Sequence, residues 1–264
     1  MTATTAAPAV TTATVTASGQ HGAYRVLWMH APSIAAGVRP GEFVNVMVEP
    51  GFLRRPFSVY RVDRVEGTVA IAFDAIGPGT EWLGARASDD ALDVVGPLGH
   101  GFDVPDDPGC ALLVGGGYGT AALVFLAEQL ADRGGQVHAV LGGRSAERVF
   151  TDDTLNEVSA SVAIVTDDGS MGKRGIVTDP IPSLVARFRP RAIYACGPNP
   201  MLAALGHLGG TLGVPTHLAV EEFMACGLGV CWTCVVPITV DGQVKHHRCC
   251  TEGPVFDGGS LAWA

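Results

Sequence analysis

The sequence has little positive charge. Its 17 Lys and Arg residues face 26 Asp and Glu residues, which gives a net charge of −9 at pH 7, and no Lys/Arg cluster offsets this balance. Because proteins bind nucleic-acid phosphates through a basic face, we predict no nucleic-acid partner. Charged residues of both signs make up only 16% of the chain, against 47% hydrophobic residues and 35 glycines. This composition indicates a folded, turn-rich protein rather than a disordered one.

Targeting and membrane segments are also lacking. Residues 1–18 contain neither a basic nor an apolar segment of the kind that begins a secretory signal, and we expect them to form a flexible, low-complexity arm. The most apolar stretch, residues 110–130, approaches membrane length, but four glycines divide it. A strand, a turn and a helix are predicted there, and no membrane span. We therefore expect a cytoplasmic protein, in which clustered cysteines usually indicate metal or redox chemistry.

The length of 264 residues is enough for two domains and a small appendage. Residues 19–105 hold short runs of β-branched and aromatic residues between Gly and Pro turns, which predicts an antiparallel β-barrel or sandwich. Residues 106–218 alternate strand and helix patterns, which predicts a doubly wound parallel α/β domain. Residues 219–264 contain five of the seven cysteines and form a small third unit. The predicted fold class is therefore α/β plus all-β.

A glycine-rich turn joins the first predicted strand of the α/β domain to its first helix, in the string LLVGGGYGTAAL. Glycines allow a backbone to approach a bound group closely, and the free N–H groups of the first helical turn attract phosphate. The string lacks the full G-x-G-x-x-G spacing, so a plain strand-to-helix loop is the alternative. The candidate cofactor-binding residues of this turn are Gly115, Gly116, Gly117, Gly119 and Thr120.

A second candidate stands at the carboxyl end of a later strand, in the string YACGPNPML. Cys196 lies where parallel sheets place their ligands, and the residues from Pro198 to Met201 begin the next helix. A buried free cysteine is the alternative for Cys196 taken alone. Together with the glycine turn, the string predicts a nucleotide cleft, with Cys196 as the catalytic residue and with Gly197, Pro198 and Met201 as cofactor-binding residues.

Three cysteines near the carboxyl terminus follow the spacing C-x4-C-x2-C, at Cys226, Cys231 and Cys234. This is the ligand spacing of plant-type [2Fe–2S] clusters, which need a fourth, distant cysteine, and either Cys249 or Cys250 can supply it. Neighbouring side chains diverge in an extended segment, so only one of the two is expected to bind. A structural zinc site is the alternative, but such sites generally pair two short spacings, and this chain has only one.

The barrel region contains the string LRRPFSVY, with Arg55 and Ser58 three positions apart. In a regular strand their side chains project to opposite faces unless the proline bends the chain. Two adjacent arginines are commonly only a solvated face. The run of Arg55, Pro56, Phe57 and Ser58, however, resembles the flavin motif of the ferredoxin-reductase superfamily.

This resemblance implies an FAD-binding barrel. In the superfamily the arginine pairs with the FAD pyrophosphate and the serine lies beside the isoalloxazine ring, roles that suit a guanidinium fork and a hydroxyl. The string IGPGT resembles the superfamily's second phosphate-side turn, and the string AFD resembles the strand that passes the flavin. The further residues implied for FAD are Ala72, Phe73, Asp74, Gly79 and Thr80.

Consecutive strings across residues 53–256 resemble, in order, the electron-transfer subunits of dihydroorotate dehydrogenase B. They include LLVGGGYGTAAL, VTDDGSMGKRGIVTD, YACGPNPML and EEFMACGLGVCWTC. The family's last cysteine stands three residues before Gly-Pro-Val-Phe, which implies Cys250 rather than Cys249 as the fourth ligand. The resemblance further implies FAD, a [2Fe–2S] cluster and NAD as cofactors.

The same resemblance implies an FMN-containing catalytic subunit as partner, in a heterotetramer with two copies of each chain. That subunit oxidises dihydroorotate in pyrimidine biosynthesis, and its electrons reach NAD+ through the cluster and FAD. FAD is expected between the cluster and NAD+, because a flavin exchanges electrons both singly and in pairs. NADP is the alternative dinucleotide, because Arg144 and Arg148 follow the second strand of the α/β domain.

Related functions compete with this interpretation. Oxygenase reductases carry a full ferredoxin domain, whereas here only fifteen residues separate Cys234 from Cys250. A subunit of a sulfhydrogenase or of a ferredoxin-linked NADP transhydrogenase has the same layout, and the sequence does not separate it from the first interpretation. A metal-binding adaptor without flavin is disfavoured by the motif that begins at Arg55.

Overall fold

The amino-terminal half of the chain forms a β-barrel. The computed structural model describes residues 7–51 and 53–263. The barrel strands are β1 (Ala9–His21), β2 (Tyr24–His30), β3 (Phe43–Val46), β4 (Arg55–Asp63), β5 (Thr68–Phe73) and β6 (Ala91–Leu98), with helices α1 (Pro32–Gly37) and α2 (Pro78–Gly84) between them. The six strands are antiparallel and close in the order β1-β2-β5-β4-β3-β6 around an apolar core. The predicted antiparallel barrel is confirmed.

Strand β1 closes the barrel by pairing with both β2 and β6. The predicted flexible arm is therefore wrong for residues 9–18, which belong to β1; residues 1–6 of that arm lie outside the described residues. Ala13 and Val15 are buried while Thr14 between them is exposed, so this segment alternates as a strand with one face on the core. Thr and Val favour strands, and pairing along both sides leaves no free edge.

A larger sheet follows the barrel. The remaining strands are β7 (Cys110–Gly116), β8 (Gln136–Gly143), β9 (Ser159–Thr166), β10 (Lys173–Arg174), β11 (Ala192–Cys196), β12 (Thr216–Ala219), β13 (Val235–Val240), β14 (Gln243–Arg248) and β15 (Val255–Asp257), and the remaining helices are α3 (Ala121–Asp132), α4 (Asp153–Val158), α5 (Ile181–Phe188), α6 (Asn199–Leu212) and α7 (Cys249–Glu252). Seven of these strands form the order β10-β9-β8-β7-β11-β12-β15, and the first six run parallel.

The two faces of this sheet carry separate hydrophobic cores. One core lies under α3 and α4, and the other under α5 and α6. This is the doubly wound arrangement that the alternating patterns predicted. The apolar residues 110–130 form β7, a 3-10 turn and α3, as expected. Within residues 7–51 and 53–263, no helix is both long and apolar enough to cross a membrane.

The chain leaves the sheet after β12 and later returns to it. β13 and β14 form a separate hairpin, α7 follows, and β15 then pairs antiparallel with β12. The predicted division at residue 218 is corrected accordingly, because β12 continues to Ala219 and residues 255–257 belong to the α/β sheet. A strand of three residues has no periodicity to read in the sequence.

Helix α3 is buried against the barrel and the sheet at the same time. Phe125 belongs to the core of the barrel, whereas Leu123 and Leu126 belong to the core between the helix and the sheet. Tyr60 from β4 joins that second core. The position of the barrel relative to the sheet is therefore set by apolar packing.

A buried carboxylate adds a polar connection beside α3. Asp152 accepts a hydrogen bond from the hydroxyl of Tyr60 and one from the Arg61 guanidinium at 2.7 Å. It also caps α4 by accepting the backbone N–H of Leu155 at 3.0 Å. Burial raises the pKa of Tyr60, and the contact with Asp152 raises it further, so Tyr60 remains a hydrogen-bond donor.

We expect Asp152→Ala to lower the free energy of unfolding by about 2–3 kcal/mol, because it leaves a buried hydroxyl and a partly buried guanidinium without their acceptor. Chemical denaturation of the purified protein measures this loss. Asp153→Ala is the matched control, since Asp153 is the exposed neighbour in the same turn. Equal stability losses in the two variants would contradict the role assigned to Asp152.

Candidate functional site

Two connected clefts lie between the barrel and the carboxyl edge of the parallel sheet. The larger has a volume of about 760 Å³ and the smaller about 270 Å³. Asp74, Ile76, Tyr118 and Glu221 line both clefts. A group bound in one cleft would therefore meet a group bound in the other.

The smaller cleft brings together most of the residues predicted to bind FAD. Arg55 and Ser58 both line it, although they stand three apart on β4. The sheet contributes the turn before α3 and the end of β11. The predicted residues in this cleft are Arg55, Pro56, Phe57, Ser58, Ala72, Phe73, Asp74, Thr80, Gly119 and Cys196.

Arg55 lines the smaller cleft and its neighbour Arg54 does not, and the two arginines have different surroundings. Arg54 forms an ion pair with Asp93 at 2.6 Å and so is occupied within the barrel. Among the described residues, Arg55 donates only to backbone carbonyls, that of Leu53 at 2.9 Å, and no carboxylate lies within ion-pair distance of it. An uncommitted guanidinium in a cleft fits a pyrophosphate, which it can bind through two N–H groups.

The larger cleft collects the predicted nucleotide-binding residues at the ends of β7 and β11. Close packing explains the glycine at position 116, because a Cβ there would lie 2.7 Å from the sulfur of Met201. Gly117 has φ +56°, which favours glycine and lets the turn enter α3. The predicted residues that line this cleft are Gly116, Gly117, Gly197, Pro198 and Met201.

Three predicted cofactor-binding residues line neither cleft. A Cβ on Gly115 would lie 2.3 Å from the hydroxyl of Thr120, so these two residues pack the strand against the helix. A Cβ on Gly79 would lie 2.7 Å from Val48, so this glycine packs α2 on the barrel. A role of these three residues in cofactor binding stays a prediction. In the structure they pack neighbouring elements against each other.

Cys196 lies where the two clefts join. It lines the smaller cleft, and the next residue, Gly197, lines the larger. Burial raises the pKa of the Cys196 thiol, and the negative charge of Glu221 raises it further. The thiol is therefore neutral at ordinary pH and is suited to contact a ring rather than to attack it.

Residues beyond the predicted set also shape the junction of the clefts. The Tyr118 hydroxyl donates to Glu221 at 2.8 Å, and burial of the carboxylate among protein groups raises the pKa of Glu221. Arg148 forms an ion pair with Asp74. Glu221 was not predicted from the sequence, although its position just after the parallel strand β12 is where such sheets collect ligand residues.

The four predicted metal ligands form two pairs of thiols. The Cys231 thiol contacts Cys226, and the Cys250 thiol contacts Cys234. A [2Fe–2S] cluster divides four protein ligands between two irons, so two pairs fit it. No group of three or more His, Cys, Asp or Glu side chains in the described part of the chain surrounds a single ion position.

The thiols of Cys249 and Cys250, at the start of α7, have different hydrogen-bond partners. Cys250 contacts Cys234 and lies near Cys226, whereas the thiol of Cys249 lies 3.7 Å from the carbonyl of Val220. Both thiols are buried. The resemblance implies Cys250 as the ligand, and the hydrogen bond between Cys250 and Cys234 favours this assignment, which stays a prediction.

A barrel residue supports the cysteine loop. The side-chain amide of Asn45 on β3 is fully buried and donates to the carbonyl of Cys226 at 3.3 Å. Gly227 has φ +69°, and a Cβ there would lie 2.4 Å from the Asn45 amide nitrogen. The loop that contains Cys226 and Gly227 therefore packs directly against the barrel. The adjoining residues Glu222 and Met224 line the smaller cleft.

We expect Cys250→Ser to lose most of the bound iron, whereas Cys249→Ser keeps it, because only the first removes a thiol of the four-sulfur set. Iron and sulfide content per chain, with the visible spectrum of the cluster, measures the difference. Comparable iron loss in both variants, or loss only in Cys249→Ser, would reverse the assignment.

We expect Arg55→Ala to weaken FAD binding by about 2 kcal/mol, roughly thirtyfold in Kd, because it removes charge-assisted hydrogen bonds to phosphate. Titration of the flavin-free protein with FAD measures the constant. Arg54→Ala serves as control, since Arg54 is committed to Asp93 and its loss should affect stability more than flavin affinity. An unchanged Kd in Arg55→Ala would refute the assignment.

Known proteins match both the cysteine-rich end and the chain as a whole. The model for the iron-sulfur cluster binding domain of dihydroorotate dehydrogenase B matches residues 221–262. The electron transfer subunit of dihydroorotate dehydrogenase B (NAD(+)) from Desulforamulus reducens is 38% identical over 240 residues, which cover 88% of this chain and 90% of that protein. The corresponding subunit from Geobacillus thermodenitrificans is 40% identical over 84% of this chain and 86% of its own length.

Solved structures agree with these matches. The NADH-dependent reduced ferredoxin-NADP oxidoreductase superposes with a TM-score of 0.85 at 30% identity, over 95% of this chain and 90% of that chain. The ferredoxin reductase in carbazole 1,9a-dioxygenase, at a TM-score of 0.69 and 22% identity over 80% of this chain and 69% of its own, shows the fold alone. The extent of the sequence matches confirms the predicted family: this chain belongs to the electron transfer subunits of dihydroorotate dehydrogenase B.

Proposed function

We propose that this chain takes electrons from a dihydroorotate-oxidising catalytic subunit and delivers them to NAD+. The observation that carries the proposal is the order of the three sites. The smaller cleft joins the larger cleft at Glu221. It is also lined by Met224, which stands just before the cysteine segment, residues 226–250. A flavin in the smaller cleft would therefore lie between a nicotinamide and the cluster, which is the order that electron transfer requires.

The family match and the iron-sulfur domain match support the predicted cofactors FAD, [2Fe–2S] and NAD. Bound FAD supplies the exchange between hydride transfer and single-electron transfer, and the protein contributes binding, orientation and electrostatics. Arg55 would hold the pyrophosphate and Ser58 would face the ring. The neutral thiol of Cys196 fills the junction without introducing charge.

The surroundings of two arginines support NAD rather than NADP. Arg148 is committed to Asp74, and its backbone carbonyl accepts the hydroxyl of Tyr24 at 2.9 Å. It is therefore not free to bind a 2′-phosphate. Arg144 lines the larger cleft together with the carboxylate of Asp167, which would repel a second phosphate.

An exposed apolar surface marks the side that we assign to the catalytic subunit. Large apolar side chains are rarely exposed together on a protein that has no partner there. We call these residues the cluster-loop surface, because they lie on or beside the cysteine segment. They are Phe223, Leu228, Val230, Trp232 and Val244. This assignment would bring the cluster close to the partner's electron donor.

The partner's chemistry completes the proposal. The curated relatives are named as subunits of a dihydroorotate dehydrogenase, so a catalytic subunit is implied. We propose that it contains FMN, that two copies of each chain assemble, and that the complex is cytoplasmic. None of the seven cysteines forms a disulfide within the described residues, which suits a reducing compartment.

Co-expression of this chain with the catalytic subunit from the same genome tests the function. We expect the purified complex to contain FAD, iron and sulfide in this chain and to reduce NAD+ when dihydroorotate is added. Cys250→Ser should abolish this reaction. The proposal fails if the complex forms and binds its cofactors but does not respond to dihydroorotate.

The same assay tests the cluster-loop surface. Val230→Asp should weaken the complex and lower dihydroorotate-dependent NADH formation, while NADH oxidation by an artificial acceptor stays unchanged. Val65→Asp is the matched control, because Val65 is also a largely exposed valine and lies in a barrel turn. Equal effects of the two variants would contradict the assigned surface.

The second candidate function is a subunit that exchanges electrons between NAD(H) and a ferredoxin-linked partner. The similarity to the NADH-dependent reduced ferredoxin-NADP oxidoreductase favours it, since that structure covers nearly the whole chain. Activity with reduced ferredoxin and without dihydroorotate would select this function.

A further inference from the structure

Arg248 lies at the centre of the cysteine segment. It is the last residue of β14 and immediately precedes the two cysteines of α7. In the hairpin it stands opposite Val235, the residue after the ligand Cys234. Its position in the fold therefore places it next to one ligand in sequence and beside another across the hairpin.

The guanidinium of Arg248 connects three parts of the segment. Its Nη1 donates to the carbonyl of Gly229 at 2.9 Å, and its Nε lies 3.1 Å from the carboxylate of Glu252. Its Cζ lies over the ring of Trp232, 4.9 Å from the ring centre. Gly229 lies between Cys226 and Cys231 in the sequence, and Trp232 directly follows Cys231, so Arg248 holds the loop that carries both of these ligands.

Two of the residues that Arg248 holds have unusual backbone conformations. Gly229 has φ +79° and Trp232 has φ +57°. Positive φ is costly for a residue with a large side chain and persists only where the surroundings enforce it. The stacking of Arg248 on the indole and its hydrogen bond to the loop provide such an enforcement.

The positive charge of Arg248 also lies close to the sulfurs of the cysteine ligands. Its guanidinium donates to the carbonyl of Gly229, within the loop that carries Cys226 and Cys231, and Cys249 and Cys250 follow Arg248 directly in the chain. Arginine remains protonated throughout the physiological range, so this positive charge is permanent. Reduction of the cluster adds one electron, and a nearby positive charge stabilises the reduced form.

We propose that Arg248 is a positioning residue that raises the reduction potential of the cluster and that Glu252 moderates this effect. The inference rests on the proposed function only for the presence of the cluster. Neutralising Arg248 removes the positive charge and leaves the Glu252 carboxylate uncompensated, so the potential falls. Neutralising Glu252 leaves the arginine uncompensated, so the potential rises.

Potentiometric titration of the holoprotein, followed by the electron paramagnetic resonance of the reduced cluster, tests the inference. We expect Arg248→Gln to shift the potential downward, Glu252→Gln to shift it upward, and the double variant to lie between them. Both shifts should shrink at high salt, because the Arg248 and Glu252 side chains are 29% and 37% exposed. Potentials that move in the same direction in both single variants, or that do not move, would overturn the inference.

Arg248→Lys separates charge from geometry. It should keep a potential near that of the unaltered protein but release iron faster to a chelator, because an ammonium keeps the charge and lacks the planar fork. If Arg248→Gln does not retain its cluster, Arg248→Lys and Glu252→Gln still decide the question. No paramagnetic signal in the unaltered protein would overturn the proposed function as well, whereas a normal signal without shifts in the variants overturns this inference alone.

Discussion

The burial of α3 on two sides is the constraint on which the remaining structure depends. A helix that gives Phe125 to the barrel and Leu123 to the sheet cannot move relative to either without exposing apolar surface. This packing brings the rim of β4 opposite the carboxyl ends of β7 and β11. The two clefts are the space that remains between these edges. The position of both clefts is therefore a result of ordinary core packing.

Charge is distributed unevenly around that space. Carboxylates and cations at the junction are mostly paired within the protein, as Arg148 is with Asp74 and Glu221 is with Tyr118. Arg55 differs because the described residues offer it only backbone carbonyls. A cation left without a carboxylate in a protein of net charge −9 marks a place for an anionic ligand. The cysteine segment shows the opposite arrangement, with a paired cation next to the sulfurs.

The sequence predicted the parts of the molecule that follow a period or a fixed spacing. The barrel and the parallel sheet follow from such patterns. The C-x4-C-x2-C spacing predicted the cluster site, and the family resemblance implied Cys250 rather than Cys249 as its fourth ligand, which stays a prediction. The amino-terminal strand was missed because a Thr- and Ala-rich run has a low-complexity composition, and only its pairing with β2 and β6 reveals the role of Ala13 and Val15. Glu221 was missed because its importance comes from the meeting of two clefts, which is a property of tertiary structure.

The return of the chain through β15 has a consequence for how the protein acquires iron. Residues 220–254 start and finish on two neighbouring strands of one sheet, so the sheet itself determines where the ends of this excursion lie. Because both ends are held in place, residues 220–254 have less conformational freedom when they carry no metal. We therefore expect the metal-free polypeptide to keep its barrel and sheet, with an open but tethered pocket that an assembly system can fill after translation is complete.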